Sequence, residues 1–154
     1  SRLKLQRALY IITQNEGENP LYNKRNNYSY MNMAKSQYVD GFILAVPKKN
    51  FSAYKKMASL CGKIWMDKGA LSYTECISED VNKGKITSFP RSVKLKRGGA
   101  VVFSWIVYKS RADRDRINKA VFKDSRMKSM MDMKTMPFDG KRLIYGGFET
   151  FINI

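Results

Sequence analysis

The sequence predicts an α+β domain in β-α-β-β-α-β order, the split-βαβ or ferredoxin-like pattern. Three observations lead to it. Four short apolar segments bounded by Gly, Pro, Asn or Asp read as strands. Two segments with apolar residues three and four apart read as helices. Their order along the chain then fixes an antiparallel four-stranded sheet with both helices on one face.

Tyr38–Val46 (YVDGFILAV) is the first strand, closed by Pro47, which cannot continue a central ladder. Asn50 is positioned to cap the helix from Phe51 to about Lys68. Its apolar positions Phe51, Tyr54, Met57, Ala58, Cys61, Ile64 and Trp65 share one face. Gly69 supplies the stop. Leu71–Ile77 is the second strand.

The connection Asp80–Gly99 carries Lys83, Lys85, Arg91, Lys94, Lys96 and Arg97 against the single acid Asp80. Val93 and Leu95 alternate with basic residues there, as in an edge segment protected by charge. Gly98-Gly99 turns into the third strand, Ala100–Tyr108. Ser110 and Asp113 then open a helix in the manner of a capping box, with Arg111 and Asp115 at i,i+4 and Ile117, Ala120 and Val121 facing inward. A break at Asp124-Ser125 precedes a short helix, Arg126–Met133. Arg142–Ile152 is the fourth strand, where Gly146-Gly147 marks a bulge or a close backbone approach.

The third strand is apolar on both faces: Val101, Phe103, Trp105 and Val107 on one, Val102, Ile106 and Tyr108 on the other. An antiparallel sheet with a wet face alternates apolar and polar residues instead. Two helices leave one face uncovered, so the pattern predicts a homodimer joined through that face.

Residues 1–32 read differently, rich in Asn and Tyr and broken by Gly17 and Pro20. They are expected to be an N-terminal extension, tag-like or poorly structured, with the natural start at Met31 or Met33 and one domain over 33–154. An arm docked through Leu3–Ile12 is the alternative.

Composition excludes several chemistries. The 154 residues contain no histidine, which removes a His-based triad and a His-ligated haem. No 18-residue apolar run exists, so no spanning helix is expected. Cys61 and Cys76 are expected as reduced thiols in a cytoplasmic protein. A net charge of +16 raises nucleic acid as a partner. Aromatic interleaving in the basic connection is limited to Phe89, however, so there is no stacking platform, and a solvated face is the better account. The methionines Met127, Met130, Met131, Met133 and Met136 suit adaptable packing better than Cu(I), because no Cys or His accompanies them.

The blocks YVDGFILAVPKKN, GALSYTEC, TSFPRSVKLK, VVFSWIVYKSRADRDRIN and MPFDGKRLIYGGF together resemble the YbaA-type family of small uncharacterised bacterial proteins. The blocks keep their order from about Tyr38 to the C-terminus, and residues 1–32 lie outside them. The resemblance implies membership of the dimeric α/β-barrel superfamily, in which two ferredoxin-like sheets share one barrel. It implies no activity, because that superfamily spans cofactor-free monooxygenases, isomerase-like enzymes, haem enzymes and stress proteins.

The superfamily's cavity lies between the sheet and its own helices. The residues aimed there are Asp40, Trp65, Glu75, Ser104, Tyr108, Arg142 and Tyr145. A carboxylate, a phenol and an arginine together suit a small polar aromatic or keto compound, or proton abstraction by Glu75 or Asp40. The bland account makes Trp65 and Tyr108 plain core and pairs Glu75 with Arg142 across strands. The leading expectation is a homodimeric small-molecule-binding protein or cofactor-independent enzyme, oxygenase- or isomerase-like, needing no cofactor or metal. The alternative is a non-enzymatic, stress-related module that binds a polyanion through the basic loop 83–97.

Overall fold

The computed structural model describes residues 36–130 and 136–154. The expectations for residues 1–32, and for Met131 and Met133, fall outside them. The strands are β1 (Tyr38–Pro47), β2 (Ser72–Ile77), β3 (Gly99–Tyr108) and β4 (Ile144–Glu149). The helices are α1 (Phe51–Asp67), a single turn α2 (Phe89–Ser92), α3 (Arg111–Lys123) and α4 (Ser125–Met130). Strand order is β2-β3-β1-β4 with every neighbour antiparallel, the ferredoxin-like arrangement.

Alternation assigns the two faces. Phe42, Leu44 and Val46 of β1 and Val102, Ile106 and Tyr108 of β3 face the helices, where they meet Tyr54, Ile64 and Trp65 of α1 and Ile117 and Val121 of α3. Both faces of β1 and β3 are as apolar as the pattern required.

The outer face is not wholly uncovered. The basic connection folds back over one end of it: Val93 is fully buried against Ala45 and Val101, with Leu95 beside them. What was expected as an edge segment is therefore a helical turn. Ser88 caps it, its hydroxyl accepting from the Arg91 amide at 3.2 Å, and Pro90 sits near its start. The remaining outer face carries Phe103, 42% exposed, Ile144 and Phe148, 61% exposed, with the Trp105 ring tilted against Phe103 at 5.2 Å.

Several local details differ from expectation. Asn50 does not cap α1; its amide donates to the Pro137 carbonyl at 3.0 Å. Arg111 and Asp115 do not pair. Asp115 instead binds Arg114, and Asp113 binds Arg116. β4 begins at Ile144 because Arg142 belongs to a 3₁₀ turn capped by Asp139. It ends at Glu149 because its partner β1 starts at Tyr38. Gly146-Gly147 makes no bulge. The pairing is regular, and Gly147 instead lets the Tyr38 ring lie against the backbone. Both cysteines are free, Cys61 half-buried and Cys76 exposed. No described helix is long and apolar enough to cross a membrane.

Gly62 has a similar role inside α1. A Cβ there would stand 2.8 Å from the Tyr73 ring, so the helix backbone packs flat on that aromatic. Gly62→Ala is expected to lower stability by about 1–2 kcal/mol, because overpacking outweighs the helix-propensity gain of about 1 kcal/mol. Thermal or urea unfolding measures the difference.

Candidate functional site

A cavity of about 160 Å³ lies between the sheet and the helices. Its floor comes from alternate residues of the three strands β1, β2 and β3, and its roof from one face of α1. Phe122, Met127, Met130, Met136 and Phe138 close its sides. The described methionines of the cluster thus pack around the cavity.

Two carboxylates reach the lining, and their surroundings differ. Asp40, 3% exposed, is neutralised: Arg114 Nε donates to Oδ1 and Oδ2 at 2.9 and 3.0 Å. Tyr108 donates to Oδ2 at 3.2 Å, and the Asn118 amide lies at 3.4 Å. Trp65 Nε1 donates to the Tyr108 hydroxyl at 3.1 Å and to Asn118 Oδ1 at 3.0 Å. This network joins β1, β3, α1 and α3. Burial opposes the Arg114 charge, but hydrogen bonds to Asp40 and Asp115 outweigh it and raise the guanidinium's pKa.

Glu75 has no such cation. Its oxygens accept from two phenols, Tyr54 to Oε2 and Tyr73 to Oε1, each at 2.7 Å. Among the described residues no Lys or Arg pairs with it. Burial, and after it the Glu75 charge, raises both phenols well above their ordinary range, so they stay donors. The same two causes push the neighbouring Cys61 thiol up to about 12.

Ser104 stands directly across the ladder from Glu75 and is 5% exposed. No described residue bonds its hydroxyl. Yet among the described residues no fully buried side-chain polar atom lacks a partner, so the hydroxyl borders the cavity.

Of the seven residues expected at the site, Asp40, Trp65, Glu75 and Ser104 line the cavity. Tyr108 is fully buried behind the wall, as a link between Asp40 and Trp65. Arg142 is not there. Its guanidinium binds Asp139 at 3.2 Å and the Lys94 carbonyl at 3.0 Å, so the Glu75–Arg142 pair does not form. Tyr145 lies on the helix side of β4, opposite Phe42 and outside the cavity lining, where burial raises its phenol against the opposing Arg114 charge. Tyr54, Tyr73, Arg114 and Asn118 were missed. Tyr54 and Tyr73 had a readable signal, since they share Glu75's side of the core by helix and strand periodicity. Arg114 had none, because i,i+4 spacing assigned the charges of its helix elsewhere.

In the basic connection, Arg91 Nε donates to the carbonyls of Lys83 and Gly84 at 3.2 and 2.9 Å. That cation braces its own loop. Among the described residues no group of His, Cys, Asp or Glu has metal-binding geometry.

The buried acids predict a pH dependence. Cys61, Tyr54, Tyr73 and Tyr108 are neutral when protonated and have higher pKa values in the fold than in the unfolded chain. Their stabilising contribution is complete below the ordinary thiol value of 9.0 and is lost as pH rises towards about 12. Denaturant midpoints between pH 8 and 11 are expected to fall monotonically, and less steeply in Cys61→Ala.

Comparison with known proteins follows the same core. The chain is 46% identical over 117 residues to the uncharacterised protein YbaA of Escherichia coli strain K12, covering 76% of this chain and 98% of that one. The same figures hold for YbaA of Escherichia coli O157:H7 and of Shigella flexneri. A solved dimeric ferredoxin-like protein from an uncultured marine organism aligns with a TM-score of 0.49 at 14% identity, over 77% of this chain and 99% of that chain. That likeness is too loose to bear on the present chain. The family model for proteins of unknown function, DUF1428, matches residues 37–140, a span that contains the Asp40 network, Glu75 and Ser104. With β1 through α4 inside that match and close relatives aligned over nearly their whole length, the chain belongs to the DUF1428 family.

Proposed function

We propose that this protein binds a small organic molecule in the cavity beneath α1, and that it does so as a homodimer joined through the outer sheet face. The observation that carries the binding reading is a cavity of about 160 Å³ with mainly apolar walls, bordered by the Glu75 carboxylate, the Ser104 hydroxyl and the satisfied Asp40–Asn118 network. Dry cavities of about 150 Å³ accept a benzene-sized guest. A few convergent polar groups in an apolar pocket are the usual form of a ligand site. Binding is favoured over catalysis because both Glu75 oxygens are already held by phenols.

Ala58 lines the cavity from α1 and offers a way to fill it. Calorimetric titration with benzyl alcohol is expected to give saturable binding, with Kd in the millimolar range or below as few-atom ligands allow. Ala58→Leu, folded by circular dichroism, is expected to lose it. Wild-type protein that binds no one-ring probe, whether neutral or charged, overturns the reading.

The homodimer rests on Phe103, Phe148 and Ile144, large apolar side chains exposed on one sheet face beside Trp105 and Val107. Contiguous apolar surface of this kind marks an association site, and a second copy is its simplest partner. Light scattering at micromolar concentration is expected to give twice the chain mass. Phe103→Glu is expected to weaken association at least about tenfold, and a monomeric wild type refutes the dimer.

A further inference from the structure

We infer that the ligand is a small organic cation: an amine or ammonium group on an apolar, one-ring-sized body, with its charge at Glu75. This rests on the cavity reading above and sharpens it to a chemical class.

The argument is one of charge. Among the described residues no Lys or Arg lines the cavity, and the two acids there are not equivalent. Asp40 is matched by Arg114 at 2.9 Å and by further donors, so its charge is already compensated. Cys61, Tyr54 and Tyr73, the other titratable groups near Glu75, are held protonated by burial. Glu75, half-buried on the edge strand β2, is then the acid at the cavity that no described cation pairs with, and a partly desolvated carboxylate favours one. The phenols of Tyr54 and Tyr73 occupy one acceptor position on each oxygen. A carboxylate has about four, so roughly two remain for donors of a guest. Ser104, opposite on the ladder, adds a hydroxyl acceptor without a partner among the described residues.

The walls suit the same guest. Tyr54, Trp65 and Tyr73 line the cavity, with Trp65 and Tyr73 rings 6.3 Å apart. Aromatic faces beside a carboxylate attract ammonium groups and repel anions. A small organic acid, by contrast, would bring a third carboxylate to a wall that holds no Lys or Arg among the described residues.

Three isosteric probes separate the outcomes: benzylamine, benzyl alcohol and benzoate, titrated by calorimetry at pH 7. Benzylamine is expected to bind at least about tenfold more tightly than benzyl alcohol, with benzoate weakest, as a charge-assisted contact requires. Glu75→Gln is expected to erase the preference for the amine, read as the ratio of the benzylamine to the benzyl alcohol affinity falling to about one. Equal binding of amine and alcohol by wild type, or tighter benzoate, overturns the cation class and leaves the cavity reading standing. Failure of all three probes removes both. The wild-type selectivity decides the matter even if the Glu75 variant does not fold.

Discussion

The interior is organised around the ion pair between Asp40 and Arg114. Asp40 is the third residue of β1, a central strand that pairs with both β3 and β4. A carboxylate there must have partners, and they come from every neighbouring layer: Arg114 and Asn118 from α3, Tyr108 from β3, and Trp65 of α1 through the last two. Removing one member of such a buried pair strands the other at a cost of about 3–5 kcal/mol. The pair therefore sets the position of α3 on the sheet and the rotamers of the cavity's back wall. It reaches the edge strand as well. The Arg114 guanidinium lies 5.5 Å over the Tyr38 ring, and that ring rests against Gly147 of β4.

Against this satisfied network, Glu75 is the exception on the same sheet face. Both carboxylates lie on the helix side, yet among the described residues one is matched by a cation and the other by two phenols. Phenol donors orient a carboxylate and lower the cost of its burial without cancelling its charge. An uncompensated charge in an apolar cavity is a property that packing alone does not require, and sequences depart from the consistent solution chiefly at functional positions. The outer face makes a second departure. Its apolar residues are half covered by the chain's own connection, through Val93 and Leu95, and half exposed around Phe103 and Phe148.

Much of this was legible in advance. Period-two and three-and-four spacing located the strands and α1, and placed Asp40, Glu75 and Ser104 on the helix side. The glycines at 146 and 147 were readable as a close approach. The turn at Phe89–Ser92 was readable too, from Ser88 and Pro90, but the alternation of Val93 and Leu95 with basic residues pointed to a strand. Arg142 was misplaced because it has the parity of Ile144, which faces outward, and because its own position is a 3₁₀ turn ahead of β4.

The sequence by itself determined element order, the two-faced apolar sheet, the exclusion of histidine chemistry and the family, because these depend on spacing and composition along the chain. Only the tertiary structure decided which cation meets which acid. Arg114 and Asp40 are 74 positions apart, and Tyr54 and Glu75 are 21 apart on different elements. Such pairings depend on helix rotation and strand register in three dimensions, where a shift of one residue exchanges a buried partner for a solvated one. For that reason the site's residues could be named from the chain, while its charge balance came from the fold.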